Sequence, residues 1–199
     1  MIKLNAKKLR KSKPAKTQIA KIKRREIYII CDNILDTYNI GSIFRLADAV
    51  AAKKIYLCGS SETPPNSRIA KAAVGTDKWI SWEYASTAAE AIQEIRKRHS
   101  RPIRLSSRPK PDRESDPRLC EDDKGRKIKV IAIEQNPRSI DFRKADFKEP
   151  IAFVVGHETS GVSTEALKAC DQIVEIPMFG VNKSLNVMVS LAIVLYKLI

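Results

Sequence analysis

The 199-residue chain is long enough for one domain with its own core, and 43% apolar residues exclude a wholly disordered protein. No apolar run reaches the roughly 18–20 residues of a membrane span, and the basic N-terminus lacks a signal peptide's apolar stretch, so a cytoplasmic protein without a membrane partner is expected. The net charge of +14 is uneven: residues 1–25 carry eleven Lys/Arg and no acid, whereas the remainder carries 26 basic and 23 acidic residues.

The cationic segment 1–25 reads as an arm for a polyanion. Nucleic acid is favoured over an anionic membrane, because no amphipathic apolar face accompanies the charge. A solvating tail is the plain alternative. Residues 26–199 then form the domain. Ile27–Cys31 (IYIIC) is a short apolar run of β-formers and predicts a strand. Asn39 to Ala52 predicts a helix, with Ile40, Ile43, Ala47 and Val50 at helical spacing and Asn39 as its N-cap. Lys54–Cys58 predicts a second strand, Gly59 to Asn66 a loop, Trp79–Trp82 a strand and Thr87–His99 a helix.

Residues 100–127 hold four prolines, nine basic and six acidic residues, and predict a solvated loop or insertion. The strand rhythm resumes with Lys129–Glu134, Ile151–Val155 and Ile173–Ile176, with a helix near Ser163–Ala169. Ser184–Ile199 closes the chain as a helix apolar almost all round, expected to be buried on several sides. Alternating strands and helices predict an α/β domain with a mainly parallel sheet and helices on both faces. The four cysteines Cys31, Cys58, Cys120 and Cys170 form no CxxC pair, and reduced, mostly buried thiols are expected. His99 and His157 have no ligand partners at metal spacing, so no metal is expected.

Three segments lie just beyond predicted strand ends or in the following helix, where open α/β sheets bind ligands. In the first, Asn39-Ile-Gly-Ser-Ile-Phe-Arg45-Leu-Ala, Arg45 points away from the apolar stripe. It suits a phosphate or ribose, or is a plain surface arginine. In the second, Phe153-Val-Val-Gly156-His-Glu158-Thr-Ser-Gly161, two glycines bracket a polar turn, with His157 a turn residue. In the third, Ile176-Pro-Met-Phe-Gly180-Val-Asn-Lys-Ser184-Leu-Asn186-Val, Ser184 is a helix N-cap candidate. Asn186 falls in the first turn of an apolar helix, where a buried amide needs partners or costs about 1–3 kcal/mol.

Together these segments resemble the three ordered motifs of the SpoU (TrmH-like) family of the SPOUT superfamily, the RNA ribose 2′-O-methyltransferases. The resemblance covers about residues 26–199. It implies a C-terminal trefoil knot, a homodimer, and S-adenosylmethionine as methyl donor to transfer RNA, with a D-loop guanosine favoured, or to ribosomal RNA. By the same resemblance, Gly156, Ile176, Leu185, Met178, Ile133, Glu134, Gln135, Ser184 and Asn186 bind the donor. Asn39, Arg45, Glu158, Ser184 and Asn186 match the active-site positions. Lys7, Lys8, Arg10, Lys11, Lys13, Lys16, Arg24, Arg25 and Arg45 are the candidate RNA contacts. The rival expectation is a non-catalytic RNA-binding or ribosome-assembly protein that kept the fold. A nucleotide-dependent dehydrogenase fails for want of the glycine fingerprint and its acidic partner.

Overall fold

The computed structural model describes residues 14–100 and 127–199. Cys120, Lys7, Lys8, Arg10, Lys11, Lys13 and all but the two end residues of the expected insertion lie outside them. Seven strands are described: β1 (Arg25–Asp32), β2 (Ala52–Cys58), β3 (Trp82–Ala85), β4 (Lys129–Ile133), β5 (Ile140–Asp141), β6 (Ile151–Gly156) and β7 (Gln172–Glu175). They form one sheet in the order β3-β2-β1-β6-β4-β7-β5, and every pairing is parallel.

The composition of the strands explains the layers. β1 and β6 lie at the centre, and each is buried on both faces, which a continuous apolar run such as IYIIC or IAFVV allows. Ile27, Ile29, Leu57, Ile131 and Phe153 pack under α2 (Thr37–Ala49), α3 (Ser67–Ala73) and α6 (Val187–Tyr196). Ile30, Tyr56, Val130 and Val154 pack under α4 (Ala88–Ser100) and α5 (Thr164–Ala169). In register, Asp32 of β1 sits between Cys58 of β2 and Gly156 of β6. The helices after β1 and β6 depart to opposite faces, so a crevice opens between these strands at their carboxyl edge.

Several expected boundaries move, each for a local reason. Helix α2 begins at Thr37, because Asp36 is its cap and accepts the Tyr38 N–H at 2.8 Å; Asn39 is inside the first turn. The helix ends at Ala49, since Ala51 takes a positive φ of 53° and β2 starts at Ala52. The third strand is Trp82–Ala85 rather than Trp79–Trp82, because a 3₁₀ turn at Thr76–Lys78 delays it. The last helix starts at Val187, capped by Asn186 Oδ1 with the Met188 and Val189 N–H groups at 3.0 and 3.4 Å, so Ser184 is not its cap. Its burial is one-sided. Leu191, Val194 and Leu195 are buried, but Val189, Ile193 and Tyr196 face solvent.

The arm boundary also moves. Lys16 opens a short helix, α1 (Lys16–Ala20), and Arg25 is already the first residue of β1. Arg24 pairs with Asp48 at 3.4 Å, and Arg25 pairs with Glu149 at 2.6 Å and donates to the Leu198 carbonyl at 3.3 Å. Both guanidinium groups are therefore paired within the fold and remain partly exposed.

Gly41 explains part of the first motif without chemistry. A Cβ there would lie 2.6 Å from both Ala72 Cβ and the Ile69 carbonyl oxygen, where α2 crosses α3. Gly41→Ala is expected to destabilise the protein by about 1–3 kcal/mol, because overpacking outweighs the gain in helix propensity. Urea unfolding checks this: the midpoint falls, whereas an unchanged or raised midpoint contradicts the contact.

Candidate active site

The β6 strand ends in a turn that only small residues permit. A Cβ on Gly156 would come within 2.2 Å of the Gly161 carbonyl carbon and the Val162 nitrogen. Gly161 has a φ of +71°, and a Cβ on it would reach within 2.2 Å of Glu134 Oε2. The turn closes on itself through His157 N–H to Gly161 O at 3.0 Å and Gly161 N–H to His157 O at 2.9 Å. His157 is a turn residue, as its position suggested: Nδ1 accepts the Thr159 and Ser160 N–H groups at 3.0 and 3.3 Å.

Glu134, just past β4, holds this turn from the side. Its Oε2 accepts the Val162 N–H at 2.8 Å, and its Oε1 accepts the Gln135 N–H at 2.9 Å. The Gln135 amide in turn donates to the Lys183 carbonyl. Buried Asp32 ties the end of β1 to the start of α5, accepting the Ser163 N–H at 2.8 Å. The β4 end, the β6 turn and the segment 176–187 thus become three walls of one hollow.

That hollow is a cavity of about 480 Å³, within the ordinary range for a small-molecule site. Gly156, Ile176, Leu185, Met178, Ile133, Glu134, Gln135, Ser184 and Asn186 all line it, and so does Glu158. Thr159, Glu175, Asn182, Lys183 and Ser190 line it too and were not singled out. Asn182 and Lys183 fall in the unspecified part of the third motif, so no sequence signal marked them. Asn182 instead holds Ser184, accepting its N–H at 3.1 Å and its hydroxyl at 3.3 Å.

Beside the cavity, three side chains from distant segments form a relay. Glu158 Oε1 accepts from Asn39 Nδ2 at 3.0 Å, and Asn39 Oδ1 accepts from Asn186 Nδ2 at 2.9 Å. Both amide orientations follow from the ends: a carboxylate can only accept, and the α6 N–H groups can only donate to Asn186 Oδ1. Glu158 also accepts the Asp36 and Leu35 N–H groups at 3.2 and 3.3 Å, bridging the crevice between β6 and β1. Desolvation disfavours its charge, but the Asn39 amide and these backbone donors prevail and hold its carboxyl below the ordinary glutamate value.

Arg45 does not line the cavity. It is exposed on α2, turned about 120° from Asn39 around the helix axis, and makes no hydrogen bond or ion pair among the described residues. The three described cysteines are held in the thiol form. Burial, reinforced by Asp32, pushes the Cys58 thiol up to about 12, and burial likewise raises Cys31 and Cys170. Among the described residues, no group of three or more His, Cys, Asp or Glu side chains is placed to hold a metal ion.

Comparison with known proteins gives a consistent answer. A family profile described as the SpoU rRNA Methylase family matches residues 26–118 and 112–196. The tRNA (guanosine(18)-2′-O)-methyltransferase of Escherichia coli K12 is 26% identical over 175 residues, which is 86% of this chain and 62% of that protein. The chain therefore spans less than two thirds of that relative's length. The TrmH/SpoU tRNA modifying enzyme of Aquifex aeolicus superposes with a TM-score of 0.66 at 25% identity, over 96% of this chain and 79% of that one. The SpoU methyltransferase AviRb of Streptomyces viridochromogenes, solved in complex with AdoMet, superposes with a TM-score of 0.69 at 23% identity, over 89% of this chain and 62% of that one.

The lowered Glu158 value fixes a direction with pH. Its stabilising effect is complete above the ordinary glutamate value and disappears as pH falls through the lowered one. Glu158→Gln should therefore be less stable than the parent chain at neutral pH, and the gap should close in acid. Thermal melts from pH 7 to pH 3 measure it, and a gap that widens on acidification contradicts the assignment.

Proposed function

The chain belongs to the SpoU rRNA methylase family, and from that membership we propose that it is an S-adenosylmethionine-dependent enzyme that methylates a ribose 2′-hydroxyl of RNA. The observation that carries the reading is the three-walled cavity flanked by the Glu158–Asn39–Asn186 relay. Its residues fit the donor: Gly156 leaves backbone where a side chain would intrude, and Ile176 and Leu185 offer apolar surface beside it. S-adenosylmethionine, when bound, supplies a methyl group already activated on a sulfonium. The protein therefore needs to supply alignment and a more nucleophilic oxygen.

Gly156, Ile176, Met178 and Leu185 hold the donor, with Ile133, Glu134 and Gln135 beside its nucleoside. Glu134 and Gln135 fix the walls through the backbone of Val162 and Lys183. Glu158, Asn39 and Asn186 keep the β1–α2 connection in register with the cavity, and Ser184 is steadied by Asn182. Arg45 is a poor base, because its guanidinium stays protonated. Its role is to bind the phosphate next to the target ribose and to stabilise negative charge growing on the 2′-oxygen as the proton leaves.

A homodimer completes the arrangement. Val189, Ile193 and Tyr196 leave an apolar strip on α6 exposed in one chain. Pairing through that strip brings Arg45 of one copy to the cavity of the other. The carboxyl-terminal segment, α6 included, is the part that the resemblance implies is threaded as a trefoil knot. The residues of the 1–25 arm supply sequence-independent phosphate contacts. Transfer RNA is the favoured substrate, and a guanosine its favoured nucleotide, since relatives bear that specificity in their names.

The deciding experiment incubates total RNA with the protein and S-adenosylmethionine, then maps ribose methylation by mass spectrometry. New 2′-O-methyl groups are expected, and none above background refutes the reading. Arg45→Ala is expected to keep the fold and donor affinity by calorimetry while turnover falls at least about 100-fold, in line with loss of a charge-stabilising donor. Near-parental turnover removes Arg45 from the mechanism. Deleting residues 1–13 is expected to weaken RNA binding and flatten its salt dependence by about 0.7–0.9 per lost phosphate contact. An unchanged slope across a salt series rejects the arm.

A further inference from the structure

Two exposed apolar features remain, and their surroundings differ. The α6 strip is aliphatic with one tyrosine and suits another protein surface. The second lies at the tip of the segment that walls the cavity. Phe179 is 88% exposed and Val181 100% exposed, between Met178 and Asn182, which both line the cavity. Phe179 thus follows directly on a residue of the cavity wall, its Cα about 3.8 Å from that of Met178.

Beyond Gly180 and Val181 the segment turns polar, with Asn182 and the cation Lys183. Lys183, exposed on the same segment, makes no side-chain hydrogen bond or ion pair among the described residues, although its carbonyl is held by Gln135. Gly180 has no atom within 4 Å of where a Cβ would stand, so the tip is open to an incoming group. An exposed aromatic ring and an exposed, unpaired cation four residues on in the same segment are poor material for a protein interface, which needs a broad apolar centre. It is the pairing that single-stranded nucleic acid uses: a π-face for a base and a cation for its phosphate.

We propose that Phe179 is a stacking platform for a nucleobase of the substrate RNA, with Lys183 taking an adjacent phosphate. This rests on the RNA methyltransferase reading and adds to it a subsite at the rim of the donor cavity, which Lys183 also lines. A base stacked on Phe179 holds its strand at the cavity mouth, so the residue tunes which nucleotide is presented. It contributes no atom to the donor site.

The test titrates end-labelled transfer RNA and ribosomal RNA fragments by fluorescence anisotropy against the full chain and four variants. Phe179→Ala and Phe179→Leu are expected to weaken RNA binding about 5- to 100-fold, and Phe179→Trp to stay within about twofold. Lys183→Ala should lower the salt slope by about 0.7–0.9. S-adenosylmethionine affinity and the sedimentation coefficient should be unchanged in all Phe179 variants. Parental RNA affinity in Phe179→Leu or Phe179→Ala overturns the proposal. So does a fall in sedimentation coefficient that accompanies the loss, since Phe179 then joins copies of the chain. A parental chain that binds RNA but transfers no methyl refutes the enzymatic reading alone, with the stacking result still read from the titrations. A parental chain that binds neither RNA refutes both.

Discussion

A carboxylate that can only accept, joined through two amides to helix N–H groups that can only donate, imposes one direction on every hydrogen bond between them. That polarity locks three chain segments together. Glu158 belongs to the β6 turn, Asn39 to the first turn of α2, and Asn186 to the cap of α6. Removing any member leaves a partner unpaired, which is dearer than replacing the whole set by apolar groups. The relay thus governs more than its own atoms, because it decides where the crevice between β1 and β6 stands relative to the cavity.

The cavity follows from backbone economy. Parallel strands end level at Asp32, Cys58 and Gly156, and the next turn doubles back on the strand it has just left. Gly156 and Gly161 make that possible, and Glu134 occupies the space a Gly161 side chain would need. The walls are held by backbone N–H and C=O groups more than by side-chain packing. A ligand approaching this edge meets backbone amides beside the apolar side chains of Ile176 and Leu185, a mixed lining of the kind small-molecule sites use.

Much of this was legible in the chain. The runs IYIIC, IAFVV and KVIAI announced central parallel strands by being apolar without alternation. All nine candidate donor residues gather at one cavity, because each sits where a strand ends or a loop turns. What stayed hidden was mostly long-range or very short. The Asn39–Glu158 and Asn39–Asn186 contacts span 119 and 147 residues, and nothing local marks either amide as a relay member. Helix α3 has seven residues, two of them basic, and β5 has two, too few for a period to declare itself. Asn186 reads as a first-turn residue behind a Ser184 cap, because apolar Leu185 precedes it, yet it is itself the cap. Arg24 and Arg25 looked like the end of a cationic arm until Asp48 and Glu149 were seen opposite them.

The 178–182 tip is anchored at both ends and touches little between them. Such a stretch behaves as an interchangeable module. Positions 179–181 can therefore be recoded while Met178 and Asn182 keep their places in the cavity wall.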